Sequence, residues 1–123
     1  MSTLKVNNLQ DTNGANNSTP EQVAQGRAKA WINFNGTGTI AILDSFGISS
    51  ITDRGTGKYT ITYSTAFANS NYSFSPMPRG NSQTFGPLNR DDLTTTNSEF
   101  DSFDGNGNRV DRDILGGVFF GDV

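Results

Sequence analysis

From Arg27 onward, apolar and polar side chains alternate: Ala28, Ala30, Ile32 and Phe34 share one face, and Lys29, Trp31 and Asn33 the other. This is the spacing of a half-buried strand, whose successive side chains point to opposite sides of a sheet. "NGTG" at 35–38 is a turn signal. It leads into "TIAILDSF", where Ile40 and Ile42 alternate with Ala41 and Leu43, so both faces of that strand are expected to be covered. Gly47 interrupts the run, and in "ISSIT" Ile48 and Ile51 are out of phase, which an inserted bulge reconciles.

"DRGTG" at 53–57 then joins "KYTITYS", in which Tyr59, Ile61 and Tyr63 face one way and Thr60, Thr62 and Ser64 the other. This is the clearest hairpin in the chain. Tyr72 and Phe74 carry the pattern into "SPMP", where Pro76 and Pro78 are expected to end the strand, since proline donates nothing to a ladder. Residues 79–98 are turn-rich and show no clear period. A last strand is expected near 113–121, with Val118 and Phe120 on one face and a bend or bulge at Gly116 and Gly117.

At the other end, Leu4 and Val6 alternate with Lys5 and Asn7 and the phase is lost before Leu9, which predicts a short strand or an extended arm. "DTNGANNST" follows as a cluster of turn formers. Thr19 is placed to cap one helical turn with Pro20 at its first position and Gly26 at its end. Short strands between turn signals, with no amphipathic helix, predict an all-β chain: an antiparallel, jelly-roll-like β-sandwich of about seven or eight strands with an extended N-terminal arm. The expected division is an attachment arm at 1–26 and a sandwich domain at 27–123.

Composition supports this economy. The 123 residues include 14 Asn, 14 Thr, 12 Ser and 14 Gly, so the core must come largely from 9 Phe, 3 Tyr and one Trp. Recurrent aromatic and β-branched residues argue against disorder beyond the N-terminal region. The chain has neither Cys nor His, which removes disulfides, thiolate metal sites and the commonest general base. A net charge of -3 with nine dispersed Lys and Arg argues against nucleic acid as a partner. No apolar run suits a membrane span and no signal peptide is evident, so no membrane insertion and synthesis in a cytoplasm are expected.

Few residues suggest chemistry. Asp104, Asn106 and Asn108 in "DGNGN" open like a calcium loop, but Arg109 and Leu115 stand where that motif needs Gly and Glu, so they are weak metal candidates beside a plain hairpin loop. Asp91 with Asp92, and Glu99 with Asp101, are the close acidic pairs a glycan hydrolase could use, against the plain reading of solvated loop acids. "NGTGT" and "DRGTGK" lack the spacing of a phosphate loop and are hairpin turns. Trp31 shares a strand face with Lys29 and Asn33, so it is either covered by a loop of its own domain or anchors a subunit contact. Tyr59, Tyr63 and Tyr72 could stack on sugar rings or, more simply, be half-buried sheet aromatics. No catalytic residue and no cofactor are expected.

The block "AWINFNGTGTIAILDSFGISSITDRGTGKYTITYSTAFANSNYSF", with "NFNGTGT" and "SITDRGTGKYT" its most distinctive pieces, resembles a module of tail-fibre-like virion proteins of cyanophages and other marine bacteriophages. The opening "STLKVNNLQDTNG" and the ending "VFFGD" resemble the same proteins, and residues 79–110 are unmatched. The resemblance implies a structural or receptor-binding part of a virion, a homotrimer without cofactor or active site. Too little chain precedes the block for a fibre shaft at ~3.3 Å per residue; a short tip, a knob or a capsid decoration protein is expected. Leu4, Val6, Leu9 and Trp31 are the assembly candidates, with the arm ordered by a neighbouring chain or attached to other virion proteins. The unmatched stretch would supply variable loops facing a host glycan or protein, with Arg79, Asn81, Phe85, Asn89 and Arg90 as candidates. The alternative is capsid decoration, and the third reading a glycan-degrading enzyme.

Overall fold

The computed structural model describes residues 1–78 and 84–123. One short helix, α1 (Pro20–Gly26), precedes eight strands: β1 (Ala30–Asn35), β2 (Ala41–Phe46), β3 (Ile48–Gly55), β4 (Lys58–Tyr63), β5 (Ser73–Pro78), β6 (Thr84–Gly86), β7 (Asn97–Phe103) and β8 (Leu115–Phe120). They form two four-stranded antiparallel sheets, in the order β2-β1-β8-β5 and β3-β4-β7-β6. The chain is an all-β sandwich, with its last strand beside its first.

Alternation decides which faces meet. In β1, Ala30, Ile32 and Phe34 are buried while Trp31, Asn33 and Asn35 are partly exposed; in β4, Tyr59, Ile61 and Tyr63 are buried. These faces close on β7 and β8 through Phe100, Leu115 and Phe119, all at 0% exposure. Rings fill the middle: Phe74 lies 4.4 Å from Phe100 and 4.7 Å from Phe119, and Phe34 meets Tyr59 edge-on at 5.0 Å. Such ring pairs add ~0.5–1.5 kcal/mol each beyond the area they bury, which suits a chain poor in aliphatic residues.

The Phe46–Ile48 corner carries the chain from the first sheet to the second. Gly47 turns it at φ +69, and a Cβ there would come within 2.6 Å of the Lys29 carbonyl oxygen, so only glycine fits. The bulge expected after it is present as a register shift between Ile48 and Ser50. Gly57 at φ +65 makes the tight β3–β4 turn, its carbonyl accepting the Ser102 amide at 2.7 Å. Thr19 caps α1 with a reciprocal capping box to Gln22 and Pro20 at the start, as its sequence predicts.

Several expectations are corrected. Residues 3–10 form no strand. Leu9 and Ser18 exchange backbone hydrogen bonds of 2.8 Å, and the Asp11 carboxylate caps the intervening turn, so residues 9–18 double back before α1. β2 is not covered on both faces, because it is an edge strand and five of its six residues are exposed. Pro76 does not end β5, which runs on to Pro78. The two prolines stand opposite Gly117 and Leu115, and an edge strand tolerates them because one side of its backbone needs no partner. The stretch 79–110 is not all loop, since β7 within it is a central strand of the second sheet. Arg79 and Asn81 lie outside the described residues.

Candidate functional site

The acidic candidates divide. Asp91 is exposed at the middle of the short 3-10 turn Arg90–Asp92. Asp92 accepts the Leu88 and Asn89 amides at 2.9 and 2.8 Å, which ties its carboxylate to the loop backbone. Glu99 and Asp101 are not solvated loop acids: they stand on the outer face of β7, where strand alternation puts them opposite the buried Phe100. Asp101 is only 6% exposed and receives Arg109 at 2.6 Å on one oxygen and Arg54 at 3.7 Å on the other. Arg54 also pairs with Glu99 at 3.0 Å, and Arg109 lies over the Phe103 ring at 5.3 Å. With Lys58 and Asn89 these groups line a shallow hollow of about 170 Å³. Each described carboxylate in it has a cation or an amide as partner, so the arrangement holds β3, β7 and the loop before β8 together and leaves no acid–base pair poised over a cleft.

The "DGNGN" loop is likewise held by its own acid. Asp104 accepts the Asn106 and Asn108 amides, both at 2.9 Å, and these amides hold its carboxyl below the usual range. Among the described residues no group of three or more acidic, His or Cys side chains is placed to hold a metal ion.

The tyrosines offer no sugar platform, because all three are buried. Tyr63 and Tyr72 both bond the Ser98 hydroxyl, and Tyr72 donates onward to the Thr94 carbonyl at 3.0 Å. Phe85, expected in a receptor-facing loop, is 2% exposed in the core, 5.3 Å from Phe100 and 6.0 Å from Phe34, so it cannot meet a receptor. Asn89 and Arg90 are exposed, with Arg90 donating to the Asn71 side chain at 2.7 Å. Leu88 beside them is 52% exposed.

The apolar candidates fall on two surfaces. Trp31 is partly buried on the outer face of the first sheet, in a cross-strand row with Phe46, Val118 and Ser75. Beside it, Asn33, Pro76 and Met77 help to line a hollow of about 370 Å³. Phe46 and Met77, 58% and 45% exposed, were missed in the sequence; Phe46 joins this surface through its pairing opposite Trp31, which depends on a bulge in the β1–β2 ladder that no residue pattern marks. Leu4, Val6 and Leu9 are 83%, 43% and 62% exposed and line an open trough of about 760 Å³ with Val23 of α1. No helix among the described residues is long and apolar enough to cross a membrane. Comparison with protein-family models, with curated proteins and with solved structures finds no match.

Proposed function

We propose that this chain is a structural protein of a bacteriophage particle, tail-fibre-like in kind, and not an enzyme. In this reading it assembles as a homotrimer, joins other virion proteins through residues 1–26, and presents loops of the sandwich to a host surface. The observation that carries the proposal is where the large apolar side chains stand in water. Leu4, Leu9 and Val23 at the N-terminal end, and Leu43 and Phe46 on β2, are each at least half exposed, while a full aromatic core lies beneath them. A chain this sparing with apolar residues gains nothing from leaving them in solvent unless another surface covers them.

The resemblance of residues 30–74 to tail-fibre-like modules supports the same reading, since that block builds β1 to β4, two strands of each sheet. Host contact falls to the loop before β7, where Leu88, Asn89 and Arg90 are exposed. Adhesion through many weak copies needs no single tight site.

The test is binding of labelled protein to cyanobacterial and other marine bacterial cells and, in parallel, to phage particles stripped of their peripheral proteins. Saturable binding to cells supports adhesion. Binding to the shell alone makes it a decoration protein, and binding to neither overturns the proposal.

A further inference from the structure

Four strands lie at sheet edges: β2 and β5 in the first sheet, β3 and β6 in the second. An edge strand presents unpaired backbone groups and invites another strand unless it is blunted. β5 carries Pro76 and Pro78, β6 is three residues long, and β3 breaks register twice and carries Asp53 and Arg54. β2 is guarded least. It has one bulge against β1 and a single charge, Asp44, and leaves Ile42, Leu43 and Phe46 exposed by 37%, 57% and 58%.

The N-terminal segment has the complementary character. Leu4 and Val6 alternate with Lys5, which is the only charged side chain in residues 1–10, as Asp44 is in residues 30–52. Neither takes part in the ion pairs formed among the described residues. We infer that residues 3–7 of one copy add as a strand to the β2 edge of a neighbouring copy, with Lys5 opposite Asp44. The inference rests on the self-assembly proposed above and names the surfaces that meet.

One register satisfies both charge and burial. Asp44 pairs with Asn33, whose neighbours Ile32 and Phe34 point into the core, so Asp44 faces outward. Directly opposite residues share a face, so Lys5 against Asp44 also points outward and turns Leu4 and Val6 toward the core side. There Ile42 sits opposite Phe34, and Ile40, Ile48 and Ile51 pack at the margin of the core. Donor and acceptor are different surfaces of one copy, so the contact closes either as a reciprocal pair or as a ring, and the trimer proposed above is the ring of three.

Because the chain has no cysteine, introduced thiols report the contact alone. Lys5→Cys and Asp44→Cys proteins carrying tags of different length are mixed and oxidised, and the expected product is the mixed disulfide in excess over either homodimer. In sedimentation, Asp44→Lys is expected to weaken self-association about tenfold, by setting like charges opposite each other. Adding Lys5→Asp restores it, while circular dichroism stays unchanged throughout. An oligomer that forms no mixed disulfide and ignores Asp44→Lys overturns the strand addition and leaves self-assembly standing. A wild-type chain that remains monomeric at every concentration overturns both.

Discussion

The Tyr59 hydroxyl lies 2.9 Å from the Asp111 carboxylate, and the same Asp111 oxygen accepts the Gly57 amide at 2.7 Å. One carboxylate thus joins a core tyrosine of β4, the β3–β4 turn and the segment leading into β8. The Gly36 carbonyl, 3.2 Å from the same hydroxyl, adds the β1–β2 turn to the knot. Tyr59→Phe keeps the ring but strands these acceptors. We expect a loss of about 1–3 kcal/mol, read as a lower urea midpoint at unchanged m-value.

Alkaline pH attacks the same feature. Burial pushes the Tyr59 hydroxyl above its ordinary value of 10.0, helped by the Asp111 hydrogen bond and charge, and burial does the same to Tyr63. The folded chain therefore holds these protons more tightly than the unfolded one. Their contribution is fully present below about pH 10 and is lost as pH rises beyond it. Thermal midpoints are expected to fall steeply above pH 10, and less steeply in Tyr59→Phe.

At the acid end the sign reverses for Asp104, whose carboxyl is held low by the Asn108 and Asn106 amides. The loop it caps is expected to hold above the ordinary Asp value and to loosen as pH falls below it. Amide resonances of Asn106 and Asn108 followed by NMR from pH 6 to 2 check this; Asp104→Ala should show the loosened state at every pH.

Core and surface rings should respond differently. Phe100→Ala removes a side chain at 0% exposure that touches Phe74, Phe85 and Phe119, and should cost about 3–5 kcal/mol. Phe46→Ala, on a ring 58% exposed, should stay within about 0.5 kcal/mol in the monomer. Chemical denaturation of both at low concentration separates the roles.

The hairpin and the capped helix were legible in the sequence because each repeats a local rule: Tyr59, Ile61 and Tyr63 in period two, Thr19 before Pro20. The final strand was legible in its place but not in its detail, since Val118 and Phe120 face outward, Phe119 fills the core, and the register runs unbroken through Gly116 and Gly117 where a bend or bulge was expected. β7 was not legible. Its inward side chains are Ser98, Phe100 and Ser102, so one residue in three carries the apolar signal, and Ser98 is buried only because Tyr63 and Tyr72 bond its hydroxyl. Its outward Asp101 is covered by Arg109, from beyond the next loop, and by Arg54, far earlier in the chain, which no strand pattern reveals. Edge status was invisible for a related reason. Whether "AILDSF" is covered, or "SPMP" tolerated, depends on strand order and not on the residues alone.

Sedimentation velocity of the wild-type chain over a range of concentrations decides whether the exposed apolar surfaces exist to be covered by assembly. A concentration-dependent shift to a closed trimer is expected, abolished when residues 2–10 are removed. A monomer at every concentration, or a trimer indifferent to that removal, would overturn the assembly through these surfaces.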